Sequence, residues 1–216
     1  MKERITLDKT VYFDGLITTY DNMFSASAIS AMETNIMDAP FKYGTRDNPD
    51  QPPTGLQCFE FEHFHAWQTL WNVVNEKLED LEGLEYRRSN LNFFAMGEDA
   101  YYHKDDCDWT LLYYCNSKWD PDEKGETKFF ITDEDLGDYK LQDVKGNTNP
   151  LVLSIAPIPG RFCFFKSSIN HSATGFRNTA RFVPALKFVE AGKGNGTGII
   201  VQQGNQDVLQ IRRNYG

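Results

Sequence analysis

Three side chains able to ligate a metal and one permanently charged cation stand out in this sequence: His103 and Asp105, then His171, then Arg181. Two imidazoles and one carboxylate on a single face of a metal leave its other face open, the arrangement that lets a non-haem iron take up a chelating co-substrate and dioxygen. His103 and Asp105 lie two residues apart, so on an extended strand both take one face and Lys104 takes the other. Asp106 and Asp108 add carboxylates nearby, and the two-residue spacing favours Asp105 as the ligand. The other two are then left to fix a turn, hydrogen-bond a ligand histidine or meet a cationic substrate. A second imidazole pair, His63 and His65, opens a helical pattern in which residues two apart do not share a face, which assigns it a surface or capping role.

His-x-Asp alone is common, and its surroundings make it specific. The run Tyr101 to Phe130, YYHKDDCDWTLLYYCNSKWDPDEKGETKFF, places an aromatic strand after the pair, then Asn116 and Trp119 in a turn, then Gly125-Glu126-Thr127 before a Phe. Further on come Pro159-Gly160-Arg161, the aromatic strand Phe162 to Phe165, His171, and Arg181 opening the strand RFVPALKF. This ordered set, over residues 84 to 190, resembles the prolyl 4-hydroxylase-like branch of the 2-oxoglutarate and Fe(II)-dependent oxygenases.

The resemblance implies a mainly β protein with flanking helices, built on a double-stranded β-helix (jelly-roll, cupin-like); strand periodicity alone would not choose that architecture. It implies Fe(II), 2-oxoglutarate and O2 as cofactors, with ascorbate keeping the iron reduced, and hydroxylation coupled to release of succinate and CO2. His103, Asp105 and His171 would hold the metal. Arg181, ten residues after His171, would pair with the distal carboxylate of 2-oxoglutarate, a task that suits a fixed bidentate cation. Tyr114 stands where related hydroxylases supply a phenol to the same carboxylate; its alternative is a core aromatic. Arg161 and Arg177 compete less well for that anion, and Arg161 is assigned to the substrate with Tyr102 and Trp119. Lys124 occupies a position where many relatives carry a second glycine, a departure expected to alter a loop. The implied substrate is a prolyl residue in a peptide or protein. A free amino acid or other small molecule, a nucleobase, and a non-catalytic jelly-roll binding module are the alternatives.

Composition frames this reading. The chain has 216 residues with 40% hydrophobic content and 16 Phe and 10 Tyr, enough for one sheet-rich core. One domain over residues 1–216 is expected: supporting strand and helices to about 83, a core from about 84 to 190, and a tail over 191–216. A net charge of −9 repels phosphate backbones, so nucleic acid is not expected as a partner, whereas peptides with Lys or Arg near the target are favoured. Cys58, Cys107, Cys115 and Cys163 form no C-x-x-C pair and suit reduced thiols in a cytoplasm, Cys115 and Cys163 as buried apolar groups. The N-terminal residues develop no apolar core of a signal peptide, and no apolar run approaches a bilayer span, so neither export nor membrane insertion is expected. Oligomeric state is not legible.

The elements that must position these residues follow from periodicity. A strand is expected over Thr10 to Leu16 and a helix from about Thr18 to Met37, capped by Asp21 or Thr18. Four prolines between Ala39 and Gly55 predict a loop able to contact substrate, and Asp133 to Asn149 a second one. Phe64, Trp67, Leu70, Trp71, Val74 and Leu78 recur at three and four, predicting an amphipathic helix over Glu62 to Leu81. Strands are expected over 86–96, 108–115, 151–156, 161–166 and 180–190, with a late strand near Ile199 to Val201 after a glycine-rich stretch.

Overall fold

The computed structural model describes residues 7–44, 46, 49–59, 61–136, 151–192 and 199–200. The strands are β1 (Asp8–Tyr12), β2 (Ile17–Asp21), β3 (Lys42–Tyr43), β4 (Leu56–Cys58), β5 (Leu84–Phe94), β6 (Trp109–Tyr113), β7 (Thr127–Ile131), β8 (Leu151–Ile155), β9 (Phe162–Lys166), β10 (Asn170–Ala173), β11 (Arg181–Glu190) and β12 (Ile199–Ile200). The helices are α1 (Ala26–Ile36), α2 (His65–Lys77) and the single turn α3 (Asp133–Leu136). A large antiparallel sheet runs β1-β2-β9-β6-β11-β5-β4-β3, with β12 also on β5, and a small one runs β10-β7-β8.

The large sheet is buried on both faces, which is why its central strands show runs of apolar residues rather than alternation. Leu111 and Tyr113 of β6, Phe162 and Phe164 of β9, and Leu186 and Phe188 of β11 pack with Trp67, Leu70, Trp71 and Val74 of α2 and Met32 and Ile36 of α1. Residues of opposite parity, Leu112, Phe165, Val183 and Ala185, pack with Phe129 and Ile131 of β7 and Ile155 of β8. The Phe129 and Phe165 rings meet edge to face at 4.8 Å, fixing one sheet over the other.

Two expected elements divide differently. The strand expected over Thr10 to Leu16 ends at Tyr12, because Phe13, Asp14 and Gly15 turn the chain through positive φ values of 50°, 53° and 92°. Thr18 and Asp21, expected as helix caps, lie in β2, where the β-branched run Ile17-Thr18-Thr19 pairs in register with β9. The helix starts later, with the Ser25 hydroxyl accepting from Ala28 N at 3.3 Å as N-cap. The helix expected over Glu62 to Leu81 is shorter, α2 opening at His65 and ending at Lys77, with single turns at Phe61–His63 and Glu79–Leu81 outside it. The proline-rich loop is described except at 45, 47 and 48, while most of the second loop, 137–150, and most of the glycine-rich tail lie outside the described residues. Among the described residues no helix is long and apolar enough to cross a membrane.

Candidate active site

Between the two sheets, the inner faces of β5 and β11 change from apolar to polar and line a cavity of about 480 Å³. Arg88, Asn90, Asn92 and Phe94 come from alternate positions of β5, and Arg181, Val183, Ala185 and Lys187 from alternate positions of β11. His103, Asp105 and His171 close the opposite wall.

Backbone pairing brings these three together. His103 and His171 exchange both amide hydrogen bonds at 2.9 Å, and Asp105 N donates to Ser167 O at 3.0 Å, so the segment after β5 runs as an irregular strand beside β10. The three donor atoms lie within 4.8 Å of one another. His103 Nε2 is 3.8 Å from Asp105 Oδ1 and His171 Nε2 is 3.6 Å from Asp105 Oδ2. Two ligands each about 2.1 Å from a metal can be separated by up to about 4.2 Å, so these spacings admit one ion at the centre. Both histidines direct Nδ1 at a main-chain carbonyl, His103 to Tyr101 O at 3.0 Å and His171 to Ile169 O at 2.9 Å. A carbonyl only accepts, so Nδ1 carries the proton and Nε2 keeps its lone pair for a metal. Burial pushes His171 down to about 4, so it is neutral near pH 7 and can ligate without losing a proton.

Asp105 is held from its other side. Burial opposes ionisation of its carboxyl, but the Lys187 ammonium more than offsets this, with hydrogen bonds from Lys187 and Thr110, and keeps it well below the usual carboxylate range. Lys187 Nζ bonds Asp105 Oδ2, and Thr110 Oγ1 donates to the same oxygen at 2.6 Å. Lys187 also donates to Thr110 Oγ1 at 3.2 Å. Lys104, expected to face away, is exposed and borders the cavity as well. Asp106 pairs with Arg88 at 2.7 Å, and Asp108 accepts from Glu190 N at 2.9 Å.

Arg181 is 1% exposed and yet lines the cavity. Its Nε donates to Gly125 O at 3.0 Å and its Nη2 to Thr127 Oγ1 at 3.2 Å, while the rings of Phe94 and Tyr114 each lie 5.6 Å from its central carbon. Among the described residues no carboxylate lies within salt-bridge distance of it. A guanidinium so buried is costly without an anion, and its remaining N–H donors suit one supplied by a ligand. Asn116 braces this position: it donates to Ala180 O at 2.9 Å and accepts from Phe182 N at 2.9 Å, clamping the chain on both sides of Arg181. Gly125 has φ of +88°, and a Cβ there would sit 1.9 Å from the Phe176 ring, so only glycine presents that carbonyl to Arg181.

The remaining expected residues fall elsewhere. Tyr114 is not among the cavity-lining residues; it stacks on Arg181 and donates to Thr127 Oγ1 at 2.8 Å. Arg161, expected at the substrate, is instead bound to Asp21 through two hydrogen bonds of 2.8 and 2.7 Å, because β9 lies beside β2. Trp119 donates to Lys124 O at 2.7 Å inside its own turn, and Tyr102 is 40% exposed with its ring against Phe130. Neither lines the cavity. Lys187, Thr110 and the β5 row were missed. The polar residues at alternate positions of RRSNLNFF, and one lysine within the apolar strand RFVPALKF, were the available signals.

Solved structures of low identity share this architecture. A prolyl hydroxylase from Trichoplax adhaerens, in complex with a hypoxia inducible factor peptide fragment, superposes with a TM-score of 0.54 at 14% identity over 81% of this chain and 84% of its own. This chain has the fold of the 2-oxoglutarate and Fe(II) oxygenases. A non-haem α-ketoglutarate-dependent epimerase of nogalamycin biosynthesis gives 0.57 at 12% identity over 91% and 92%. HygX from Streptomyces hygroscopicus, with nickel and 2-oxoglutarate bound, gives 0.54 at 8% identity over 82% and 84%. No family model and no curated protein matches the sequence. The double-stranded β-helix expected from the resemblance is therefore the observed fold, with the two sheets as its walls.

Proposed function

We propose that this chain is a single-domain Fe(II)- and 2-oxoglutarate-dependent dioxygenase that hydroxylates a carbon of its substrate. The observation that carries this reading is the sharing of one cavity by a three-donor candidate metal centre and the buried Arg181, which among the described residues has no carboxylate within salt-bridge distance. The residues fit the metal: two neutral imidazole lone pairs and one ionised carboxylate form the donor set of a facial iron site. When bound, the iron supplies activation of dioxygen for decarboxylation of 2-oxoglutarate to succinate and CO2 with oxidation of the substrate.

The protein's own part is positional. His103, Asp105 and His171 hold the metal on one wall, while Arg181, kept rigid by Gly125, Thr127 and Asn116, receives the distal carboxylate of 2-oxoglutarate. Leu112, Val183, Ala185 and Phe94 give that part of the cavity an apolar lining that excludes water. Tyr114 acts on the co-substrate through Arg181 and Thr127.

For the substrate, the sequence resemblance favours a prolyl residue in a peptide or protein, and the peptide complex of the Trichoplax enzyme supports that kind of ligand. The cavity lining favours the second reading, a small molecule, because the buried Asn90, Arg181 and Lys187 line it together with the three donor side chains. Ascorbate is the proposed reductant, and four cysteines free of disulfides support a reducing cytoplasm. Succinate release measured against a panel of prolyl peptides, free amino acids and other small acids, with mass spectrometry locating the added oxygen, tests the assignment. Iron-loaded protein that consumes no 2-oxoglutarate with or without a substrate would exclude it.

A further inference from the structure

The cavity has a charge opposite to that of the chain. Against a net charge of −9, its described lining residues include Arg46, Arg88, Lys104, Arg181 and Lys187 and only two carboxylates, Asp105 and Asp106. The expectation from net charge, that a basic peptide would be favoured, therefore does not hold at this surface. A recessed cavity of one sign concentrates ligands of the other.

Two of these cations form a corner of their own. Lys187 stands directly opposite Arg88 in the β11–β5 register, and both line the cavity. Like charges directly opposite on paired strands repel. Here each has a carboxylate, Lys187 with Asp105 and Arg88 with Asp106. Asp105 is also the metal ligand. A metal on Asp105 draws that negative charge toward itself and adds positive charge beside the Lys187 ammonium, so Lys187 is then short of an anion while Arg88 keeps Asp106. Arg181 cannot share the same ligand group, since six residues of extended strand separate it from Lys187, about 20 Å of backbone.

The wall between these cations supplies hydrogen bonds rather than a greasy slot. Arg88 Nη1 donates to Asn90 Oδ1 at 3.3 Å, and Asn90 Nδ2 donates to Asn92 Oδ1 at 2.7 Å, forming an amide row along β5 with Gln57 of β4 also lining the cavity. The Lys187 side chain is 7% exposed and touches a metal ligand, so an anion that reaches it lies within a few bonds of the carbon presented to the metal. A peptide main chain carries only uncharged amides at that distance.

Resting on the dioxygenase reading, we propose that Lys187 and Arg88 form a substrate subsite for a free carboxylate, which makes the substrate a small carboxylic acid such as a free amino acid. The subsite is completed by metal loading, which draws the Asp105 carboxylate away from Lys187.

The test is calorimetric and independent of turnover. Protein loaded with Mn(II) and saturating 2-oxoglutarate is titrated with the twenty free amino acids and a set of 2-hydroxy acids, with the amide of each acid that binds, and with a prolyl peptide carrying a nearby acidic residue. At least one free acid is expected to bind, with its amide about tenfold weaker or more, and with Lys187→Gln and Arg88→Gln each lowering its affinity by a similar factor. The Arg88 side chain is 41% exposed, so Arg88→Gln remains informative if the buried Lys187 variant fails to fold. The proposal is overturned if no free acid binds, if acid and amide bind alike, if only the peptide binds, or if affinity survives in Arg88→Gln. It is also overturned if Lys187→Gln weakens 2-oxoglutarate as much as the acid, which would give the corner to the co-substrate. Failure of the Mn(II)-loaded parent to bind 2-oxoglutarate at all would instead reject the dioxygenase reading.

Discussion

Replacing Arg181 by Met keeps much of the side chain's length and removes its charge, and its effect on co-substrate binding can be worked from the donors already used. Of five guanidinium N–H groups, one on Nε is spent on Gly125 O and one on Nη2 on Thr127 Oγ1, which leaves three for a ligand. A bidentate carboxylate takes two of them, and each hydrogen bond to a charged group contributes about 1.5–3 kcal/mol, or about 3–6 kcal/mol together. Water and the released Thr127 hydroxyl recover part of this, so 2-oxoglutarate affinity is expected to fall by about two orders of magnitude or more. Stability should move the other way. The parent buries a guanidinium with no carboxylate within salt-bridge distance among the described residues, and an apolar side chain of similar length relieves that cost, so the melting temperature without co-substrate is expected to hold or rise. Calorimetric titration of 2-oxoglutarate into Mn(II)-loaded protein, with a thermal melt of each variant, reads both effects. Arg181→Lys should fall between the two, because an ammonium keeps the charge and loses the parallel pair. An unchanged affinity in Arg181→Met refutes the assignment of this residue to the co-substrate.

His103→Ala, Asp105→Ala and His171→Ala should each lose stoichiometric binding of one divalent ion per chain, measured with Mn(II), Co(II) or Ni(II) by metal analysis after dialysis; retention of metal by all three would reject the site. In metal-free protein, His171 contributes a pH dependence of stability whose sign follows from its depressed value. The unfolded chain takes up a proton below about 6.5 while the folded one does not until about 4, so stability is present above 6.5 and is lost as pH falls through that window, by about 3 kcal/mol at most. Urea unfolding at several pH values should show this slope, and His171→Asn should flatten it. Lys124 has φ of 62° and ψ of −135°, a conformation that costs a side-chain-bearing residue about 1–3 kcal/mol, so Lys124→Gly is expected to raise the melting temperature despite the added freedom of the unfolded chain. A lower melting temperature would show that the lysine side chain contributes more than the backbone strain costs.

What was legible in the sequence divides along the two faces of the large sheet. The outer face is built from apolar side chains that meet helices, and such contacts leave a periodic trace: Trp67, Leu70, Trp71 and Val74 announce α2 without help from tertiary structure. The candidate metal-ligand cluster was readable because ligation needs particular residue types at a particular spacing. The N-terminal boundary between β2 and α1 was not, since Thr18 and Asp21 are good caps in isolation and only pairing of β2 with β9 assigns them to a strand. Arg161 failed for a related reason: its partner Asp21 is distant in sequence, and nothing local marks the two as neighbours.

The inner face shows why residue type alone ranks candidates poorly in this fold. Tyr102, Trp119 and Arg161 have the chemistry to bind a substrate but sit in segments between strands, where the Phe130 ring, Lys124 O and Asp21 respectively engage them. Arg88, Asn90, Asn92 and Lys187 look ordinary in the sequence, and each becomes significant through parity, because alternate residues of β5 and β11 face the same cavity. Parity also separates the two cations of β11. Arg181 and Lys187 are six positions apart, an even number, so both face inward and bracket the candidate metal centre, one braced by Asn116 and Gly125 and the other against Asp105. A one-residue slip of β11 would turn both outward and bring Phe182, Leu186 and Phe188 into the cavity. The same register that closes the helix-facing core thus sets the charge of the cavity.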